Sequence, residues 1–370
     1  MLTSRPMLVP PANGPGPSRQ RFIDAAFSRP VDVPPVWLMR QAGRYLPEYR
    51  AIRENYGFLE MCRTPELAVE VSLQPVDLVG VDAAIMFSDI LVSFPAMGLD
   101  LEFAKGEGPV IHNPIRTAAD VEKLKVADPL EATPFVMETL KILRRELESK
   151  VPLIGFAGAP FTLASYAIEG HGTRDYENCK ALMWSDPAAW DMLLTKFADT
   201  TIAYLCAQID AGAQVVQLFD SWVGYVAPYD YERSVLSHSK RVIDEVTAYG
   251  AAKVEGGVPV IHFANGGTSM LDLVQRAGGD VLGVDWRLDM AHAVELIDPK
   301  FGIQGNIDPV ALFAPDDVLS EIVSDIVTKV GKRPGHVFNL GHGIHKTTDP
   351  EKARTFVRLV HEHSARVLAG

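Results

Sequence analysis

Cysteine is scarce in this chain. Cys62, Cys179 and Cys206 are three in 370 residues, an odd number and widely spaced. No CxxC and no Cys/His pair stands at metal-ligand spacing, so neither a disulfide framework nor a zinc site is indicated. A reduced, cytoplasmic protein is the expectation. Long apolar runs are missing too, and none approaches the roughly 18 residues of a membrane span. The N-terminal stretch is rich in Pro and Gly and lacks a signal-peptide apolar core. Residues 1–17 therefore read as a mobile tail ahead of a single domain over residues 18–370. Basic excess is absent: the formal net charge is -12, which argues against a general binder of nucleic acid or anionic membrane. Neither GxGxxG nor GxxxxGK[ST] occurs, which removes the two common phosphate-cradling loops. There is no internal repeat.

What remains is ordinary globular material, 47% hydrophobic and 22% charged, enough for a large core. Eight short apolar, β-branched runs fall at residues 36–39, 83–87, 153–157, 215–219, 258–263, 281–284, 301–304 and 337–340. They are continuous rather than alternating, the pattern of strands buried on both faces. Helical patterns separate them. Val136, Leu140, Leu143 and Leu147 share one face of a helix opened by Thr133-Pro134. Asp186-Pro187, Asp308-Pro309 and Asp349-Pro350 each pair a capping carboxylate with a proline suited to the first helical turn. Gly250, Gly278 and Gly331 stand where helices should stop. Strands alternating with helices, eight times over, predict an α/β fold, a single (β/α)8 TIM barrel. Residues 99–112 alternate around Gly106 and Gly108 and read as a small hairpin inserted after strand two.

A barrel of this kind gathers its functional side chains just past the C-terminal ends of its strands. The sequence can be checked against that. After strand one come Arg40, Gln41 and Arg44, in WLMRQAGRYLPEYR. After strand two comes Asp89, in FSDIL. Strand three leads into GFAGAPFTLASYAIEG, with Tyr166. Strand four ends at Phe219 and is followed by Asp220-Ser221, strand six by Asp285-Trp286, and strand eight by His342 between two glycines. Two guanidiniums past a buried strand need something anionic opposite them, and Arg is the side chain whose planar fork holds a carboxylate with two parallel bonds. Each residue also has a plainer reading: the Args as surface ion pairs, Asp89 as a helix cap, His342 as a structural histidine, Tyr166 as core. Asp220 and Asp285 read as structural.

These stretches resemble the uroporphyrinogen decarboxylase family. WLMRQAGRYLPEYR and GFAGAPFTLASYAIEG look like its two signatures, and FSDIL, QLFDSW, GNIDP and NLGHGI resemble its other recurrent segments, in the same order. The likeness runs from about residue 22 to the C-terminal helix. It implies a single-domain (β/α)8 barrel, usually a homodimer, of haem biosynthesis. It implies a carboxy-lyase that converts the four acetates of uroporphyrinogen to methyls, giving coproporphyrinogen and four CO2, with no metal and no organic cofactor. By position it assigns Arg40, Gln41, Arg44, Asp89, Tyr166, Phe219, Ser221 and His342 to substrate binding, with Asp89, Arg40, Tyr166 and His342 in the chemistry. The proton donor stays open among Arg40, Tyr166, His342, a substrate carboxylate and a water. Two rival readings follow from the same residues. Corrinoid-linked methyltransferases of the same barrel family hold zinc through Cys and His, but none of the three cysteines here follows a strand end. A non-catalytic tetrapyrrole carrier would keep the Args without needing Asp89.

Overall fold

The computed structural model describes residues 18–104, 108–148 and 150–370. The tail expected over residues 1–17, and the hairpin tip at Gly106, lie outside the described residues.

Seven strands form one parallel sheet, adjacent in the order of the chain. They are β1 (Ala84–Ile85), β4 (Leu153–Gly158), β5 (Val215–Asp220), β6 (Val260–Ala264), β7 (Val281–Gly283), β8 (Gly302–Gln304) and β9 (His336–Val337). All but one of their residues are buried, which is why the runs look uniformly apolar. Two further strands, β2 (Leu101–Ala104) and β3 (Gly108–Ile111), pair antiparallel with each other and lie outside the main sheet.

Residues 36–39 do not form a full strand, unlike the sequence expectation. Val36 makes an isolated parallel bridge to Phe338, and its carbonyl accepts the Asp82 N–H at 2.7 Å. Pro34 and Pro35 precede it without amide donors, and the chain turns at Met39–Arg40, so little ladder can form. Side chains take over the tethering. The Asp82 carboxylate, buried, accepts the Val36 N–H at 2.8 Å, takes Arg21 at 3.3 Å and lies 2.7 Å from His361 Nε2. One carboxylate thus joins the first helix (Ser18–Ala26), the strand-one segment and the last helix (Pro350–Ala369).

The helices pack outside the sheet. Val136, Leu140, Leu143 and Leu147 are all buried, as their spacing requires. Asp186 and Asp349 cap helices Pro187–Asp210 and Pro350–Ala369 through N–H groups of Ala189 and Glu351. Asp308 also caps, but it opens a short 3-10 turn (Pro309–Phe313), with the α-helix starting only at Asp316. Gly278 and Gly331 do end helices. Gly250 does not: helix Leu236–Lys253 runs through it. A Cβ there would sit 3.0 Å from the Val258 Cβ, so the glycine permits helix-to-strand contact rather than a stop.

Candidate active site

The C-terminal ends of the parallel strands form one face, and the sequence-selected residues arrive there on separate elements. Arg40 follows the strand-one segment. Its backbone is left-handed, with φ 63°, a conformation that costs a non-glycine residue about 1 to 3 kcal/mol and persists only where neighbours impose it. The neighbours are visible. The Asn339 side-chain oxygen accepts the Met39 N–H at 3.0 Å, and the Met39 carbonyl accepts the Ile344 N–H at 2.8 Å. Gln41 is fully buried, its Oε1 accepting the Leu38 N–H at 3.0 Å while its Nε2 donates to the Ala83 carbonyl at 2.9 Å. The Gln41 amide is therefore spent on backbone and is not presented at the mouth. The Arg40 stem lies against Gly343: a Cβ at that glycine would fall 2.8 Å from Arg40 Cγ, and nearer still to Cδ.

Arg40 and Arg44 are both exposed. Among the described residues neither guanidinium has a hydrogen-bonded or ionic partner, whereas Arg21, Arg241, Arg276 and Arg358 are paired with carboxylates. Arg44 contributes only its carbonyl, which accepts from Arg50. The surface ion-pair reading of the two Args is thereby removed for the described residues.

Asp89 follows β1 and is partly buried. Its Oδ1 accepts the Leu91 N–H at 2.9 Å, so it does act as a local turn cap. Enclosure by the protein pushes its pKa up to about 6, against the pull of the Leu91 N–H and the Arg40 charge. Tyr166, on helix Pro160–Glu169, is raised to about 12, first by burial and then by the negative charge of Asp89. His342 is pushed down to about 4 by burial and by the positive charges of Arg40 and Arg287, against Asp285. The Arg40 charge acts on Asp89, Tyr166 and His342 alike, so Arg40 lies within electrostatic reach of all three.

Aromatic rings stand on β4, β5 and β6, and a second group meets Tyr166. Phe219, at the end of β5, meets Phe156 and Phe263 edge-on at 5.7 and 6.1 Å. Tyr166 meets Trp222 at 5.9 Å, and Trp222 meets Tyr176 at 5.7 Å. Ser221 is half-buried, its carbonyl accepting from the Asn265 side chain at 3.0 Å. Among the described residues, neither Ser221 nor Arg44 is hydrogen-bonded or ion-paired to Arg40, Asp89, Tyr166 or His342. Asp220 is fully buried, its Oδ1 accepting from Thr162 at 2.9 Å, with burial raising its pKa to about 7. Asp285 accepts the Gly266 and Arg287 N–H groups, the structural role expected of it.

Nothing in the pattern of the sequence singled out Arg287, although an Arg just past a strand end is the signal that marks Arg40. Its guanidinium carbon stacks 4.0 Å over the Trp286 ring, and Trp286 lies 6.1 Å from His342. The cysteines each lie within a helix rather than past a strand end, and Cys62 is the one whose thiol the Asp89 charge reaches. Among the described residues no three His, Cys, Asp or Glu side chains are grouped so as to hold a metal, and no helix is long and apolar enough to cross a membrane.

A family model described as Uroporphyrinogen decarboxylase (URO-D) matches residues 17–363. A uroporphyrinogen decarboxylase of Carboxydothermus hydrogenoformans is 58% identical over 344 residues, 93% of this chain and 96% of that one. One from Geobacter sulfurreducens is 49% identical over 346 residues, covering 94% and 99%. Among solved structures, a methyltransferase from Methanosarcina mazei superposes with TM-score 0.77 over 94% of this chain and 98% of that one, at 19% identity, a likeness of fold alone. With a family model matched from residue 17 to residue 363, the chain belongs to the uroporphyrinogen decarboxylase family.

Proposed function

We propose that this protein removes CO2 from the four acetate side chains of uroporphyrinogen III to give coproporphyrinogen III, in haem and tetrapyrrole biosynthesis. Its relatives carry that name at 48–58% identity over nearly their full length. The observation that carries the reading at the site is the unpaired Arg40 guanidinium acting on one enclosed carboxylate of raised pKa, with a second unpaired guanidinium, Arg44, in the same loop. The substrate is a flexible macrocycle with eight carboxylates outside and four pyrrole N–H groups inside. Arg40 and Arg44 suit the carboxylates as bidentate partners. Asp89 suits the centre, accepting hydrogen bonds from pyrrole N–H groups. Phe219, with Phe156 and Phe263, gives an apolar floor, and Ser221 and Tyr166 border it. Gln41 acts through Arg40, by holding the turn.

The chemistry follows from the substrate. A proton added to the ring carbon beside the acetate-bearing position leaves a cation centred on the pyrrole nitrogen. The carbon–carboxylate bond then breaks, CO2 departs, and its electron pair neutralises that cation. A second proton makes the new methyl group, and the ring carbon gives its proton back. One proton is consumed per CO2. Ionised Asp89 stabilises the cation where it forms, the counterpart of an oxyanion hole with the signs reversed. The pyrrole serves as its own electron sink, so no step calls on a metal or organic cofactor. Of the side-chain donors, His342 at about 4 is neutral near pH 7 and serves better as a hydrogen-bond partner. Tyr166 at about 12 keeps its O–H.

The same reading takes residues 18–370 as one closed barrel, with the Val36 segment as its eighth stave, and a cytoplasmic homodimer as the working form. The bridge of Val36 to Phe338 supports the closure. The exposed Tyr225, linked through Trp222 to Tyr166, and the exposed Trp184 and Tyr229 offer a surface for a second copy. The test is CO2 release from reduced uroporphyrinogen, with and without a chelator. Steady release in both supports the reading. A carrier or a methyltransferase releases none, and inhibition by the chelator revives a metal centre.

A further inference from the structure

We propose that Arg287 is a third carboxylate-binding residue, one that holds a propionate of the bound macrocycle beside His342. This rests on the decarboxylase reading above. Arg287 follows β7 at the same face as Arg40, and its side chain is 55% exposed. It is pre-positioned from two directions. Its Nη1 pairs at 3.2 Å with Asp285, a carboxylate whose own side chain is buried and whose Oδ2 is spent on the Gly266 N–H at 2.6 Å. Its guanidinium carbon lies over the Trp286 ring, 4.0 Å from the centroid. A stacked, anchored guanidinium loses less freedom when it binds than a free one, and Arg287 has five N–H donors of which the anchor uses only part.

The plain alternative is an ion pair that merely closes the turn after β7. Location argues against that alone. Trp286 stands edge-on to His342 at 6.1 Å, and the Arg287 charge reaches His342. Location also selects the carboxylate. Arg287 follows β7 and Asp89 follows β1, four places apart in the strand order, whereas Arg287 and Trp286 lie beside His342. Arg287 is therefore set back from the group that stabilises the reacting pyrrole. The carboxylates away from the reacting position that persist through all four turnovers are the propionates.

The experiment uses the full chain carrying Arg287→Gln, with Arg287→Lys beside it. Coproporphyrinogen, which has propionates and no acetates, is titrated by quenching of tryptophan fluorescence, and uroporphyrinogen turnover is followed by CO2 release. The expected result is a rise of about 10- to 100-fold in both the coproporphyrinogen Kd and the uroporphyrinogen KM, with kcat within about 3-fold and the Lys variant between. Unchanged Kd and KM overturn the proposal. So does a fall in kcat and melting temperature with KM unchanged, since that is what a turn-closing ion pair produces. A wild-type chain that releases no CO2 sinks the decarboxylase reading instead, while an active wild type with an indistinguishable Gln variant sinks this inference alone.

Discussion

Asp89→Asn should make the protein more stable and nearly inactive. The swap keeps the size of the side chain and an oxygen for the Leu91 N–H, so the turn is preserved. What it removes is a charge. Enclosure raises Asp89 from 3.8 to about 6, roughly 2 units, and at 1.36 kcal/mol per unit the fold is strained by about 3 kcal/mol when the group is ionised. Partial exposure reduces that to about 1–2 kcal/mol. The sign follows from the raised pKa. Below about pH 4 the carboxyl is protonated folded or unfolded and the two proteins should be equally stable. Between about pH 4 and pH 6 the wild type loses ground, and above that window the Asn variant should lead by the full amount. Thermal melts at pH 4, 5.5 and 7.5 read this directly. Turnover should move the other way, falling about 10²–10³-fold, as when a preorganised charge is taken from a transition state. The wild-type kcat/KM should fall on the acid side with a midpoint near 6, and the variant should lack that limb. Near-normal CO2 release from the Asn variant would remove Asp89 from the chemistry, and an unchanged or lower melting temperature at pH 7.5 would show that it is not strained.

Gly343→Ala should leave the fold within about 1 kcal/mol of wild type, because the atoms its Cβ meets belong to the flexible Arg40 side chain. It should still lower kcat/KM about 10-fold or more by moving that guanidinium, and unaltered steady-state kinetics would mean that the Arg40 position is unimportant. Gln41→Ala should cost about 2–4 kcal/mol in urea unfolding, since it orphans the buried Leu38 N–H and Ala83 carbonyl together. A variant as stable as wild type would show that water replaces the amide.

The core strands were legible because burial on both faces leaves a plain apolar signature. β4, β5 and β6 fall within one to two residues of the runs that announced them. The strand-one run misled because its apolar residues are buried without a ladder: Val36, Trp37 and Leu38 are held by side chains such as Asp82, Gln41 and Gln304. Asp82 and Gln304 lie 46 and 267 residues from the groups they hold, separations no local pattern encodes. Gly250 misled for a similar reason, since its role is a contact with Val258 across a turn and not a backbone conformation. Arg287 was invisible because its meaning depends on His342, which belongs to a different strand end.

What separates a binding group from a structural one here is whether its hydrogen bonds are already used. Gln41 and Asp285 follow strands at the same face as the site residues, and the amide of one and both oxygens of the other are spent on backbone. Arg40 and Arg44 are not, among the described residues. A sequence shows residue type and position but not this remainder, which is why Gln41 and Arg40 look alike as neighbours in WLMRQAGRY and part company in space. Asp220 tests the criterion. It is fully buried, Thr162 satisfies one oxygen, and the other has no partner among the described residues. An ionised carboxylate half-satisfied in the core is costly, and burial accordingly raises its pKa to about 7. Thr162 Oγ1 also accepts the Trp222 N–H at 3.3 Å, and Thr162 stands one helical turn before Tyr166. Asp220 is thus unspent yet sealed away, tied to the site through Thr162 and not open to it. Being unspent marks a binding group only when the side chain can also be reached, and Arg40, Arg44 and Asp89 meet both conditions.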